Sequence, residues 1–226
     1  MADANTTSTT TTPAVDGSPE GLGTGPVVDL RAARAVDVGL VGGKGANLGE
    51  MLGVGLPVPD GFAVTAPAYL AAMDQAGIRH QLRELESRAA EAGPDELAEL
   101  SDDARRLILA HELPAELTAA IDDRYQSMGA GFVAVRSSAT AEDTADTSFA
   151  GMNETFTNVR GAVDLGSAIR RCWASLYGAR VMAYRAEQGL TDEPAIAVVV
   201  QQMVAADRVD GEQHASPVGG HHLLDH

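Results

Sequence analysis

From Pro67 to about Met128 the chain carries only helical periodicity, and on either side of that stretch stands a short apolar run. Phe62-Ala63-Val64-Thr65 precedes it and Phe132-Val133-Ala134-Val135 follows it, both with strand character. A long helical block between two strands excludes an all-β sandwich and an all-helical bundle alike. The mixture of strands and helical blocks makes the fold class α/β (α+β) with a helical insert. The block divides into four pieces: Leu82 and Leu85 repeat in one, Leu97, Leu100, Ala104, Leu107 and Ile108 in the next, and Leu117, Ile121 and Tyr125 in the last, with Pro114 at its first turn. Val27-Val28-Asp29-Leu30 adds a short strand, a helix runs from about Ser167 to Gln188, and Ile196-Ala197-Val198-Val199-Val200 is the clearest strand in the chain.

The two ends read differently. Residues 1 to 26 concentrate Thr, Pro and Gly and offer no apolar surface to offset the entropy of ordering, so a disordered tail is expected there. The core domain is expected over 27–207. Beyond it, 208–226 holds His214, His221, His222 and His226 without periodicity, and an unstructured tail is expected. Ligands on such a tail do not make a fixed metal geometry. The net charge of −16 argues against a general nucleic-acid binder, and no apolar run reaches bilayer length, so neither nucleic acid nor membrane is an expected partner. One cysteine, Cys172, excludes an internal disulfide, and the polar N-terminus has no basic-then-apolar leader. The expected setting is cytoplasmic.

Against this acidic background any polyanion needs a local positive site, and the basic residues suggest where it is. Fifteen of the sixteen are Arg; the one lysine, Lys44, stands in Val41-Gly42-Gly43-Lys44-Gly45-Ala46-Asn47. Glycines let backbone N–H groups approach anionic oxygens, a following helix presents its positive end, and the lysine adds a compact charge. A tight turn with a surface lysine is the plain alternative. The segment is not a Walker A motif, because Val38 and Gly45 stand where Gly and Ser or Thr are needed, and Leu48 breaks a Rossmann fingerprint.

A second segment, Val135-Arg136-Ser137-Ser138-Ala139-Thr140-Ala141-Glu142-Asp143, sends an Arg out of a buried strand and follows it with hydroxyls. The guanidinium fork and the short donors suit a polyphosphate. The same hydroxyls also suit helix capping, with Thr140 and Asp143 spaced as a capping box. Glu142, Asp143 and Asp146 read as a solvated acidic loop rather than a magnesium site. A third segment, Val200-Gln201-Gln202-Met203-Val204, ends the apolar strand where backbone groups and a soft Met203 contact suit a nucleotide base; an ordinary strand end reads as well. His80 and His111 lie near no motif, and there is no Gly-x-Ser-x-Gly, which leaves a serine-nucleophile reading without support.

In this order the three segments resemble the ATP-binding region of phosphoenolpyruvate synthases (pyruvate, water dikinases). The likeness runs from Leu40 to Glu50, through Gly55-Leu-Pro-Val-Pro-Asp-Gly-Phe62, Ala134 to Asp143, Ser148-Phe-Ala-Gly151 and Cys172-Trp-Ala-Ser-Leu176, to Val198-Val-Val-Gln-Gln-Met-Val204. Rifampin phosphotransferases share these motifs and stay an alternative, as does a non-catalytic nucleotide-binding module.

The resemblance implies a partial ATP-grasp domain in which Lys44 and Arg136 hold phosphates, Arg136 also serving catalysis. Gly151 and Thr155 would line the nucleotide pocket and Gln201 would sit by the adenine. It implies ATP and Mg2+ as cofactors, the metal ligands falling in a second half that the likeness does not reach. Pyruvate would be a partner only through domains outside this chain, and a separately encoded remainder of the enzyme is a further candidate partner. Since the likeness fades after Asp207, a truncated product inactive by itself is the expectation.

Overall fold

The computed structural model describes residues 25–140 and 154–204. Five strands form one sheet in the order β1-β2-β5-β3-β4, every neighbouring pair antiparallel: β1 is Val27–Asp29, β2 Gly61–Val64, β3 Val133–Ala139, β4 Thr155–Val159 and β5 Ile196–Gln202. Helix α1 (Val38–Gly53) lies between β1 and β2 in the chain. Four helices follow β2: α2 (Ala66–Gln75), α3 (Arg79–Ala89), α4 (Pro94–Leu109) and α5 (Ala115–Ser127), in agreement with the four pieces read from the sequence. Two more, α6 (Ala162–Ser175) and α7 (Ala179–Glu187), connect β4 to β5.

Alternation along the strands sorts the helices into two layers. Phe62, Val64, Val133, Val135, Val198 and Val200 face a large core built with residues of α2 to α7. The intervening residues Val28, Ala63 and Val199 face the other way, against Val41 and Ala46 of α1. The central strand β5 is therefore covered on both sides, and Ile196 to Val200 are all buried. That is why this strand reads as a continuous apolar run and not as an alternating one.

Several boundaries differ from the sequence reading. Strand β3 does not stop at Val135 but continues through Arg136, Ser137 and Ser138 to Ala139, and β4, which the sequence reading lacks, pairs beside it. Seven residues of β3 align with β5, so pairing to an apolar neighbour extends the strand into a polar segment. The single helix expected over 167–188 is two helices that begin at Ala162 and divide at Gly178. Pro114 is the residue that caps α5, one position before its first turn. The glycine-rich segment is not an open loop: α1 starts at Val38 and is interrupted only at Gly42, whose φ of 71° and ψ of 169° leave the helical region. The two expected tails fall outside the described residues, apart from Gly25 and Pro26 at the end of the first.

The larger core centres on Trp173 of α6, 1% exposed, with Tyr69 edge-on at a centroid distance of 5.6 Å. The Tyr69 and Tyr177 hydroxyls meet at 3.1 Å, and burial pushes both phenols above the ordinary tyrosine range. On the rim, Arg79 of α3 grips Glu193 ahead of β5 through Nε at 2.6 Å and Nη2 at 2.5 Å, a bidentate pairing that holds the Glu193 carboxyl below the ordinary range. Arg124 of α5 ties Asp29 of β1 to Asp60 just before β2.

Candidate functional site

The kink at Gly42 brings α1 into direct contact with β3. Ser138 Oγ donates to the Val41 carbonyl at 2.9 Å and accepts from the Gly45 amide at 3.3 Å, so one buried hydroxyl holds both sides of the break. No side chain fits at Gly42: a Cβ there would lie 2.2 Å from Ser138 Oγ and 2.3 Å from the Ser138 carbonyl oxygen. Downstream, a Cβ at Gly49 would lie 2.2 Å from the Ala33 carbonyl oxygen. Gly42 and Gly49 thus serve to lay the helix flat on its neighbours. Lys44, half-buried, stands in the first turn after the kink, toward the positive end of that helical stretch.

Register and alternation place the other predicted residues. Ser138 faces α1, and Arg136, two residues before it on β3, projects from the same face. Arg136 pairs across one edge with Val199, itself packed against α1, and across the other with Thr155 of β4. Gln201 follows Val199 by two on β5 and pairs with Ala134, so it too belongs to this face. Its amide Nε2 donates to the Pro59 carbonyl at 3.3 Å. Arg136, Thr155 and Gln201 therefore project from one face of three adjacent strands, and Lys44 sits on the helix that partly covers that face. Thr155 is exposed; Arg136 and Gln201 are half-buried. Gly151 lies outside the described residues, as do Glu142, Asp143 and Asp146.

The serine-rich segment requires a correction. Both Ser137 and Ser138 are fully buried, and the hydroxyls read as phosphate donors or helix caps bond to backbone instead. Ser137 Oγ donates to the Glu154 carbonyl at 3.3 Å and accepts the Glu154 amide at 2.9 Å; Thr140 Oγ1 donates to the Ala195 carbonyl at 3.1 Å. Ser137 and Ser138 are strand positions, and a buried hydroxyl in a strand bonds to whatever backbone lies beside it. Met203 is half-committed as well: its sulfur accepts the Asn158 amide at 3.1 Å.

Beneath the other face, burial pushes the Cys172 thiol up to about 12, the nearby Glu154 carboxylate adding and Arg171 and Lys44 opposing. Cys172 is a packing residue, not a nucleophile. A cavity of about 890 Å³ lies elsewhere, between α3 and α4, lined by Leu85, Arg88, Asp103, Arg106 and Leu107 among others. None of the predicted site residues borders it, and its arginines pair with carboxylates, Arg88 with Glu96 and Arg106 with Asp103. Shared charge and register point to the α1 face instead. Among the described residues, no three His, Cys, Asp or Glu side chains come together as a metal site, and no helix is long and apolar enough to cross a membrane.

Comparisons with known proteins identify the family. The domain family described as "Pyruvate phosphate dikinase, AMP/ATP-binding domain" matches residues 38–219, twelve residues past Asp207, where the likeness read from the sequence ends. A probable phosphoenolpyruvate synthase of Methanothermobacter thermautotrophicus is 43% identical over 179 residues, covering 76% of this chain and 26% of that protein. The phosphoenolpyruvate synthase of Pyrococcus furiosus is 37% identical over 221 residues, covering 80% and 27%, and that of Helicobacter pylori 39% identical over 183 residues, covering 76% and 22%. The chain thus spans about a quarter of the length of these relatives. A family match over most of the chain makes it a member of the pyruvate phosphate dikinase AMP/ATP-binding domain family.

Proposed function

We propose that the chain holds ATP on the α1 face of its sheet, as part of an ATP-grasp domain. The observation that carries this is the shared face: the lysine at the start of a kinked helix and the arginine of β3 lie on the same side of the sheet, with Thr155 and Gln201 beside them. In this reading Lys44 and Arg136 neutralise the phosphate chain, one as a point charge backed by helix amides, the other as a bidentate fork. Gly151 and Thr155 line the nucleotide pocket, and Gln201 approaches the adenine at the polar end of β5. Such a site works by positioning and by charge neutralisation rather than by covalent chemistry of its own.

The reaction class that goes with this reading is that of a pyruvate, water dikinase. ATP gives its terminal pyrophosphoryl unit to a histidine on a domain outside this chain. Water removes the outer phosphate, and the remaining phosphoryl group passes to pyruvate, giving AMP, phosphate and phosphoenolpyruvate. Mg2+ belongs to the proposal as the counter-ion of ATP. Among the described residues, no three His, Cys, Asp or Glu side chains gather to hold it.

Calorimetric titration of ATP into the full chain tests the reading. The parent is expected to bind. Lys44→Ala and Arg136→Ala should each weaken binding by about 1.5–3 kcal/mol, the loss typical of a hydrogen bond to a charged group, or about 10- to 150-fold in Kd. Both variants should keep the parent's unfolding midpoint. Variants that bind as tightly as the parent would remove these residues from the site.

A further inference from the structure

Outside the residues assigned to ATP, the molecule offers the α3–α4 groove, a smaller cleft beside the start of α7, an exposed apolar cluster at the end of α1, and the clamp between α1 and β3. The clamp carries an inference furthest. We infer that Ser138 is a positioning residue for the phosphate-binding end of the site: its hydroxyl fixes the turn of α1 that follows the kink and carries Lys44 at a set height above the strand that carries Arg136. The inference rests on the proposed ATP site and deepens it.

Three observations converge. First, the Ser138 hydroxyl is used twice on the same helix, donating to Val41 before the break and accepting from Gly45 after it. A bond to one side alone would tolerate rotation of the following turn; bonds on both sides fix the angle at Gly42. Second, the contact is as close as backbone allows, since a single added carbon at Gly42 would overlap Ser138 Oγ, O and C at 2.2, 2.3 and 2.5 Å. Third, Ser138 is two residues from Arg136 on the same strand face, and Gly45 adjoins Lys44. Clamp and cations therefore share two rigid elements, with no flexible segment between them. The distance between an ammonium and a guanidinium that grip one polyphosphate is set by that clamp. A misplacement of about 1 Å in such a constellation is costly, even from a residue that touches no ligand.

The discriminating comparison is with Ser101, a second buried serine whose hydroxyl donates to the Tyr177 carbonyl at 2.7 Å, on α4 and away from this face. Ser138→Ala and Ser101→Ala remove the same group from similar burial. Both should lower the thermal midpoint. Titrations with ATP and with AMP then separate them: Ser138→Ala should lose about tenfold in ATP affinity, equivalent to 1.4 kcal/mol, while its AMP affinity changes less than twofold. Ser101→Ala should match the parent for both ligands.

If Ser138→Ala does not fold, Ser138→Cys, which keeps a weak donor and acceptor at the position, is judged by the same ATP-to-AMP ratio. Equal binding of ATP by parent and clamp variant overturns the positioning role. So does an equal loss for ATP and AMP, which would mean general loosening. A parent that binds no ATP overturns the proposed site and the clamp's role together, a result distinct from either of those.

Discussion

Gly42→Ala is expected to destabilise the chain by about 4 kcal/mol or more, the size reached when backbone strain and steric disruption add at one position. Gly42 holds φ 71° and ψ 169°, a region that essentially only glycine occupies. The added Cβ would also meet the carbonyl oxygen and carbon of Ser138 at 2.3 and 2.5 Å. Those are backbone atoms of β3, paired to β5 along seven residues, so they do not yield as a side-chain tip would. Domains of this size keep only about 5–15 kcal/mol of net stability, so the variant should populate the unfolded state measurably or lose the kink. Gly43→Ala is the control one residue away: nothing lies within 4 Å of its Cβ position and it sits in the helix. It should leave the urea midpoint unchanged or raise it, since Ala is favoured over Gly inside a helix by about 0.5–1 kcal/mol. Equal effects at the two positions would mean that the kink is not a fixed feature.

Trp173→Ala is the second large effect, expected at about 3–5 kcal/mol, the range for removing a large aromatic side chain from a packed core. Trp173 is 1% exposed, stacks edge-on with Tyr69, and lies in the cluster that joins the sheet to α2 and α4. Trp173→Phe should cost much less. It keeps most of the ring volume, and it removes an indole N–H that has no hydrogen-bond partner among the described residues and whose burial is itself unfavourable. Trp173 is the one tryptophan, so unfolding is followed by far-ultraviolet circular dichroism. A loss below about 1 kcal/mol for the alanine variant, the range typical of surface substitutions, would place α6 outside the cooperative core.

The two periodicities that the chain shows most strongly correspond to the parts of the fold that sequence reasoning reached. The four helices between β2 and β3 repeat apolar residues at helical spacing, and β5 is apolar throughout because it is buried on both faces. What escaped depends on partners distant in sequence. Thr155–Val159 alternates weakly and is mostly exposed; it is a strand because β3 pairs with it. Ser137 and Ser138 look like caps locally, and only the approach of α1 and of Glu154 reveals why hydroxyls are buried there. Gly42 was legible as one glycine among several, but its neighbours Gly43 and Gly45 are helical, and nothing local says which one carries the break. Lys44, Arg136, Thr155 and Gln201 were found as site candidates through residue type and resemblance; their common face follows from register, which no short window of sequence contains.

The central claim is that ATP is held on the α1 face of the sheet. It is tested most directly by titrating ATP into isotopically labelled full chain and mapping amide chemical-shift changes. The account predicts saturable changes at Gly43 to Ala46, Arg136, Thr155 and Gln201, absent at the same residues in a Lys44→Ala, Arg136→Ala double variant. Changes centred on the α3–α4 groove around Leu85 and Leu107 instead, with the α1 face silent, would contradict it.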